Sequence, residues 1–169
     1  KPLKEFTQGY IDGFMKDITV HPTDPSIWFT TRYQGGIYKS VDNGETWAQV
    51  TQGLPNDGFS RIAVEFAPSA PHIMYALYVN TSDEGFYGLY RSEDTGNTWS
   101  LKSNSPNLLG WSSTGNDAGG QGDYDLTLNI QPQRPNTVFV GGVNFWRTTD
   151  SGSNWTLLAH WSGRIAPLV

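Results

Sequence analysis

Ser40-Val41-Asp42-Asn43-Gly44-Glu45-Thr46-Trp47 is the stretch from which the architecture of the chain can be read. It returns as Ser92-Glu93-Asp94-Thr95-Gly96-Asn97-Thr98-Trp99 and as Thr148-Thr149-Asp150-Ser151-Gly152-Ser153-Asn154-Trp155. Each octet sets a hydroxyl, an Asp, a Gly, a Thr or Asn and a Trp at fixed offsets. The Asp carboxylate can accept backbone N–H bonds two residues on and so close a turn, and the Gly supplies the positive φ that a hairpin reversal needs. The hydroxyl braces the same loop. The Trp opens the returning strand, its ring over the turn and its indole N–H within reach of a carbonyl. Asp42, Asp94 and Asp150 stand 52 and 56 positions apart, close to the period of a four-stranded propeller blade.

A second repeated piece precedes each octet. Residues 18–29, 62–75 and 126–139 each read as an apolar strand, a Pro-x-x-Pro turn and another apolar strand, the turns being Pro22 to Pro25, Pro68 to Pro71 and Pro132 to Pro135. Proline cannot donate to a ladder, so both prolines belong between strands. One unit is therefore strand A, Pro turn, strand B, loop, strand C, octet turn, strand D. The expectation is an all-β propeller of four-stranded antiparallel blades, with blades at 18–51, 62–102 and 126–158. A lead-in loop (1–17), a glycine-rich insertion (103–125) and the start of a connection to a further blade (159–169) complete the chain. Leu108, Leu109 and Trp111 are placed to pin part of the insertion to the body. Propellers close with about 4–8 blades, so three units predict a partial ring with two open apolar flanks. The remaining blades or domains of a parent protein are the expected partners for those flanks.

Composition agrees and narrows the function classes. Aromatics at 14%, with 19 Gly and 10 Pro, favour pleated strands joined by tight turns. A net charge of −5 with only 11 scattered basic residues argues against nucleic acid as a partner. With no cysteine and with His21, His72 and His160 in unrelated contexts, neither a disulfide framework nor a thiolate or histidine metal site is expected. The longest apolar runs are far short of the roughly 20 residues that span a bilayer, so no membrane insertion is expected. No signal-type segment follows Lys1, and a secreted product would carry its signal upstream.

The octets resemble the Asp-box, or bacterial neuraminidase, repeats of sialidases, two-propeller xyloglucanase-type glycoside hydrolases and sortilin-type receptors. Residues 122–126, the prolines 132 and 135, Val140-Gly141-Gly142-Val143-Asn144-Phe145-Trp146 and His160-Trp161 look like the large Bacteroidetes proteins exported by the type IX system. That resemblance implies an extracellular or cell-surface location and a longer parent with more blades and a sorting domain. It also implies that the octet turns lie away from the ligand face. The opposite face would then be built from residues 8–17, 32–35, 53–60, 80–88, 103–125 and 141–144.

Acidic and aromatic residues recur on those loops: Asp12 near Tyr10 and Phe14, Asp57 near Phe59, Asp83 and Glu84 near Phe86 and Tyr87, and Asp117, Asp123 and Asp125 near Trp111 and Tyr124. Tyr33 lies on the same face. Asp12, Tyr33, Asp57, Phe59, Trp111, Asp123, Tyr124 and Asp125 are the candidate ligand-binding set. A glycosidase needs two carboxylates about 5–10 Å apart beside a sugar subsite. Polar Asp-Gly turns also occur on any propeller, and that plain reading is favoured for each acid taken alone. Catalytic residues are left unassigned.

A sialidase would need an arginine cluster. Here Arg91 and Arg147 take the position of Lys39 before each octet, which suggests a structural strand position. The Arg-Ile-Pro segment expected before a first repeat is missing, and Arg164-Ile165-Ala166-Pro167 carries an extra Ala. Residues 116–125 cluster oxygen donors that would suit calcium, yet the spacing fits no EF-hand loop. A glycine-rich surface loop is the favoured reading, and no cofactor is expected. The leading function is an extracellular recognition scaffold for a glycan or protein, with part of a glycoside hydrolase as the alternative.

Overall fold

A computed structural model of the chain describes residues 11–163. Twelve strands form three separate four-stranded sheets. The first is β1 (Met15–Val20), β2 (Trp28–Arg32), β3 (Gly36–Ser40) and β4 (Ala48–Val50). The second is β5 (Phe59–Phe66), β6 (Met74–Asn80), β7 (Phe86–Ser92) and β8 (Ser100–Ser103). The third is β9 (Thr127–Ile130), β10 (Val138–Gly141), β11 (Phe145–Thr148) and β12 (Thr156–Ala159). Every neighbouring pair is antiparallel and sequential, so each sheet is a meander. This is a partial β-propeller of three blades. Strands β1 and β5 start three residues ahead of Ile18 and Ile62, each through an irregularity that shifts the register.

In a four-strand meander the A–B and C–D turns share one end, and the B–C and D–A connections share the other. The octets are the C–D turns and the Pro-x-x-Pro segments the A–B turns, so the two repeated motifs meet. In each blade the fourth octet residue donates its N–H to the residue after the second proline: Asn43 to Ser26 O at 3.1 Å, Thr95 to His72 O at 2.9 Å, and Ser151 to Asn136 O at 2.9 Å.

Within the octet the bonding differs from the sequence expectation in reach. The carboxylate accepts the N–H four residues on, not two: Thr46 N to Asp42 Oδ1 at 2.8 Å, Thr98 N to Asp94 Oδ1 at 2.9 Å, Asn154 N to Asp150 Oδ1 at 2.9 Å. The nearer donor, the Gly N–H, goes instead to the leading hydroxyl of Ser40, Ser92 or Thr148. That hydroxyl in turn donates to the Asp at 2.7–2.8 Å. Two consecutive residues take positive φ, namely Asn43-Gly44, Thr95-Gly96 and Ser151-Gly152. This is the backbone of a tight hairpin reversal that matches strand twist. Trp47 and Trp99 donate their indole N–H to the octet glycine carbonyl at 3.1 Å, whereas Trp155 reaches Ser103 Oγ in the second blade at 3.1 Å.

The core lies between blades. Phe29 and Ile37 of the first blade pack on Val64, Phe66, Met74 and Tyr78 of the second. Tyr75, Leu77 and Leu89 of the second pack on Ile130, Val138, Val140 and Trp146 of the third. Leu108 and Leu109 of the insertion are fully buried in this second cluster, while Trp111 stays exposed. Among the described residues, no helix is long and apolar enough to cross a membrane.

All three octet carboxyls are held at about 2, below the usual range for an Asp. In Asp42 and Asp150 the leading cause is the side-chain bond from Thr46 or Asn154. In Asp94 burial pushes the other way and is outweighed by the N–H and hydroxyl of Thr98. Because the folded values are depressed, the stabilisation is complete above the unfolded value of about 3.9 and is lost as pH falls through about 2. Urea unfolding of the chain should therefore show stability falling between these limits. Asp94→Ala should lower stability by about 1–3 kcal/mol at neutral pH and flatten part of that acid slope. An Asp94→Ala chain as stable as the parent would contradict the clip.

Candidate functional site

The end of the blades opposite the octets is dominated by the connection between β8 and β9. It is a folded loop with its own polar framework. Asn107 organises its base: Oδ1 accepts from Phe86 N at 2.9 Å and Leu109 N at 3.2 Å, while Nδ2 donates to Asp117 O at 3.1 Å and Gly119 O at 2.8 Å. Asp117 Oδ2 accepts from Trp111 N at 2.6 Å and Ser112 N at 2.9 Å. Asp83, from the β6–β7 loop, takes Gly85 N on one oxygen and Gly119 N on the other. Leu108 and Leu109 then anchor the loop in the core beneath it.

Asp123 ties three parts of this face together. Its Oδ2 accepts from Tyr33 of the first blade at 2.6 Å, and its Oδ1 accepts from Ser60 of the second at 2.5 Å. Arg61 donates to the carbonyls of Asp123 and Tyr124, both at 3.1 Å. The bond to Asp123 raises the Tyr33 phenol above its ordinary value. The ammonium of Lys16 lies 5.1 Å from the Tyr33 ring centroid.

A shallow cleft of about 500 Å³ opens beside this tie, lined by Gln121, Asp125, Leu126, Thr127, Gly141, Gly142, Val143 and Trp161. Trp161 is 62% exposed, and Tyr124, next to Asp125 in the chain, is 85% exposed. The Trp161 ring is held in place. Its N–H donates to Trp111 O at 3.2 Å, and its backbone N–H donates to Asn144 Oδ1 at 3.2 Å. Asn144 is buried and braces the insertion through Gly110 O and Ser112 O. His160 Nε2 donates to the same Trp111 carbonyl at 2.8 Å, which leaves Nδ1 to accept from Ser162.

Of the residues singled out from sequence, Tyr33 and Asp123 are brought into contact, Asp125 lines the cleft, and Trp111 and Tyr124 are exposed on this face. Asp12 and Asp57 are exposed on neighbouring loops, and among the described residues no hydrogen bond joins them to this cluster. Phe59 belongs to the core instead: it is 5% exposed in β5, edge-to-face with Tyr78 at 5.0 Å. An aromatic just after an Asp-Gly turn looks like a loop residue, but the register irregularity of β5 turns it inward. Trp161, Gln121 and Asn144 were not in the sequence-derived set. The aromatic that follows the last strand of a blade is the signal that points to Trp161.

Of the carboxylates in residues 116–125, Asp117 turns Oδ2 to backbone N–H groups while its Oδ1 is buried without a partner among the described residues, Asp123 is turned to Tyr33 and Ser60, and Asp125 faces the cleft. Among the described residues, no group of three His, Cys, Asp or Glu is arranged to hold a metal ion. Asp17 and Glu65, on neighbouring inner strands, form an interacting carboxylate pair. Burial, with Asp17 nearby, raises the Glu65 carboxyl above its usual range. Both cap free N–H groups of β5, Asp17 that of Val64 and Glu65 that of Phe66, each at 3.0 Å. Segment 164–167 and Tyr10 lie outside the described residues.

No family model matches the chain. It is similar to a xyloglucanase from Paenibacillus sp, 22% identical over 162 residues, covering 90% of this chain and 15% of that protein. Among solved structures it is similar to an ancestral GH74 enzyme, with TM-score 0.57 and 18% identity over 87% of this chain and 18% of that one. It is also similar to YCF48 from Cyanidioschyzon merolae, with TM-score 0.59 and 22% identity over 90% of this chain and 39% of that one. YCF48 bound to D1 peptide gives TM-score 0.59 at 17% identity, over 86% and 41% of the two chains. These likenesses define the class, a β-propeller, and the chain spans well under half of each of these relatives.

Asp123→Ala removes the acceptor for both Tyr33 and Ser60. Hydrogen exchange of residues 103–126 should accelerate, and the Tyr33 phenol should titrate at lower pH than in the parent. Unchanged exchange would show that the insertion holds without this tie.

Proposed function

We propose that this chain is part of an extracellular Asp-box propeller whose loop face binds a glycan. The observation that carries the reading is the exposed ring of Trp161 lining a cleft that also offers the polar groups of Gln121 and Asp125, with the exposed Tyr124 next to Asp125 in the chain. Exposed aromatic surface rimmed by polar groups marks a binding site, and sugar rings present the flat apolar faces that such side chains cover. The Trp161 ring N–H is bonded to Trp111 O and the Trp161 backbone N–H to Asn144, so little ordering entropy is lost on binding. The similarity to a xyloglucanase supports a β-linked plant-type polysaccharide as the first ligand class to try.

Part of a glycoside hydrolase is the second reading, favoured by the same relative. Supporting recognition over hydrolysis, Asp123 has both carboxylate oxygens engaged by protein donors, and Asp17 and Glu65 cap strand N–H groups. Titration calorimetry with xyloglucan oligosaccharides and cello-oligosaccharides should show binding, and Trp161→Ala should weaken it at least tenfold, about 1.4 kcal/mol. Absence of binding to either series would reject the glycan reading. Release of reducing ends from the same oligosaccharides would move the chain to the hydrolase reading.

A further inference from the structure

Asp125 differs from the acids packed around it in what its carboxylate touches. Asp123 has both oxygens engaged by Tyr33 and Ser60, and Asp117 has one engaged by the N–H groups of Trp111 and Ser112. Asp83, from the neighbouring loop, has both engaged by Gly85 and Gly119. The Asp125 side chain has no hydrogen bond and no ion pair among the described residues, and neither of its oxygens is sealed off by the chain. It is half-buried and faces the cleft of about 500 Å³ that Trp161 also lines.

The main chain around this carboxylate is fixed. Tyr124 N and Asp125 N both donate to Gln121 O, at 2.9 Å and 2.7 Å, closing a turn. Arg61 reaches the carbonyls on either side, that of Tyr124 at 3.1 Å and that of Leu126 at 3.4 Å. Arg61 thus holds the backbone and forms no ion pair with Asp125. The cleft floor is main chain as well. A Cβ on Gly142 would lie 3.1 Å from Asp125 O, and one on Gly141 would lie 2.6 Å from the Thr127 methyl group. Glycine at both positions keeps side chains out of the space below the carboxylate.

The chemistry offered to a ligand is therefore narrow. Gln121, Leu126, Thr127 and Val143 carry no charge, and no Lys, Arg or His lines the cleft. The Trp161 indole N–H is taken by Trp111 O, so what the side chain presents is ring surface, 62% exposed. A carboxylate accepts hydrogen bonds and cannot donate them. A sugar hydroxyl satisfies that requirement, but an ammonium satisfies it and the charge together. An indole face attracts the same cation, more strongly than any other side-chain ring. A sugar carboxylate would meet a like charge and be repelled.

We propose that this cleft selects amino sugars, holding the protonated amine of a β-linked glycan against Asp125 and Trp161, which rests on the glycan reading above and names the sugar. Oligosaccharides with one backbone and different substituents isolate the point. Cellotetraose, the β-linked glucosamine tetramer and its N-acetylated form share their ring linkage and differ at the second carbon, which carries a hydroxyl, an ammonium or an acetamide.

Titration calorimetry on the whole chain, in mildly acidic buffer where the amines are protonated, should show the glucosamine tetramer binding about tenfold tighter than cellotetraose. Acetylation should remove the gain. Asp125→Asn should bring the two affinities together, and because the carboxylate bonds to nothing else in the fold the variant should melt with the parent. Molar salt should narrow the ratio in the parent chain, a reading that needs no variant. A glucosamine tetramer no better than cellotetraose would overturn the inference and leave the glycan reading standing. So would a preference that survives Asp125→Asn, since a chain of net charge −5 attracts any polycation diffusely. Failure of all three to bind would also overturn it, and the glycan reading would fall with it only if xyloglucan oligosaccharides fail as well.

Discussion

The structure depends on the clip at the octet end of each blade, where a carboxylate, a hydroxyl and a backbone carbonyl from the neighbouring turn satisfy the N–H groups of one hairpin. The hairpin holds two consecutive residues at positive φ, and one of them, Thr95, is β-branched, a conformation that costs free energy in isolation. The cost is offset because the strained backbone presents its N–H groups to fixed acceptors. Thr95 N reaches His72 O, Gly96 N reaches the Ser92 hydroxyl, and Thr98 N reaches Asp94. The clip therefore fixes both turns at one end of the blade, and with them the register of all four strands.

Register decides which side chains face each neighbouring blade. In a meander of period two, Phe29 with Lys39 and Tyr75 with Arg91 fall on the forward side, and Val64, Phe66 and Met74 on the receiving side. A slip of one residue would exchange them. Blade packing, the burial of Leu108 and Leu109 beneath the insertion, and the placement of Asp123 between Tyr33 and Ser60 all follow from that alternation. The loop face is thus positioned by turns at the far end of the sheets, which leaves its loops free to vary in length and chemistry.

Much of this could be read from the chain before its structure. The octets and the Pro-x-x-Pro turns recur three times, and their spacing is enough for the four-strand meander. The recurrence of Lys39, Arg91 and Arg147 marks a structural strand position, although only the structure reveals that Lys39 and Arg91 bridge blades from it. What escaped the sequence depends on contacts between distant segments. Asp123 and Tyr33 lie 90 residues apart, and no local pattern signals their bond. Phe59 reads as a loop aromatic because the irregularity that turns it inward has no sequence signature. The octet Asp reaches further than its local pattern indicates because the leading hydroxyl competes for the nearer N–H and wins it.

The octet clip can be tested directly by hydrogen exchange at its bridging amides. The account places the N–H groups of Thr95 and Ser151, each bound to the A–B turn of its own blade and covered by a preceding blade, among the slowly exchanging amides, with Asn43 in the uncovered first blade faster than both. Exchange of Thr95 and Ser151 at the rate of exposed loop amides would contradict it.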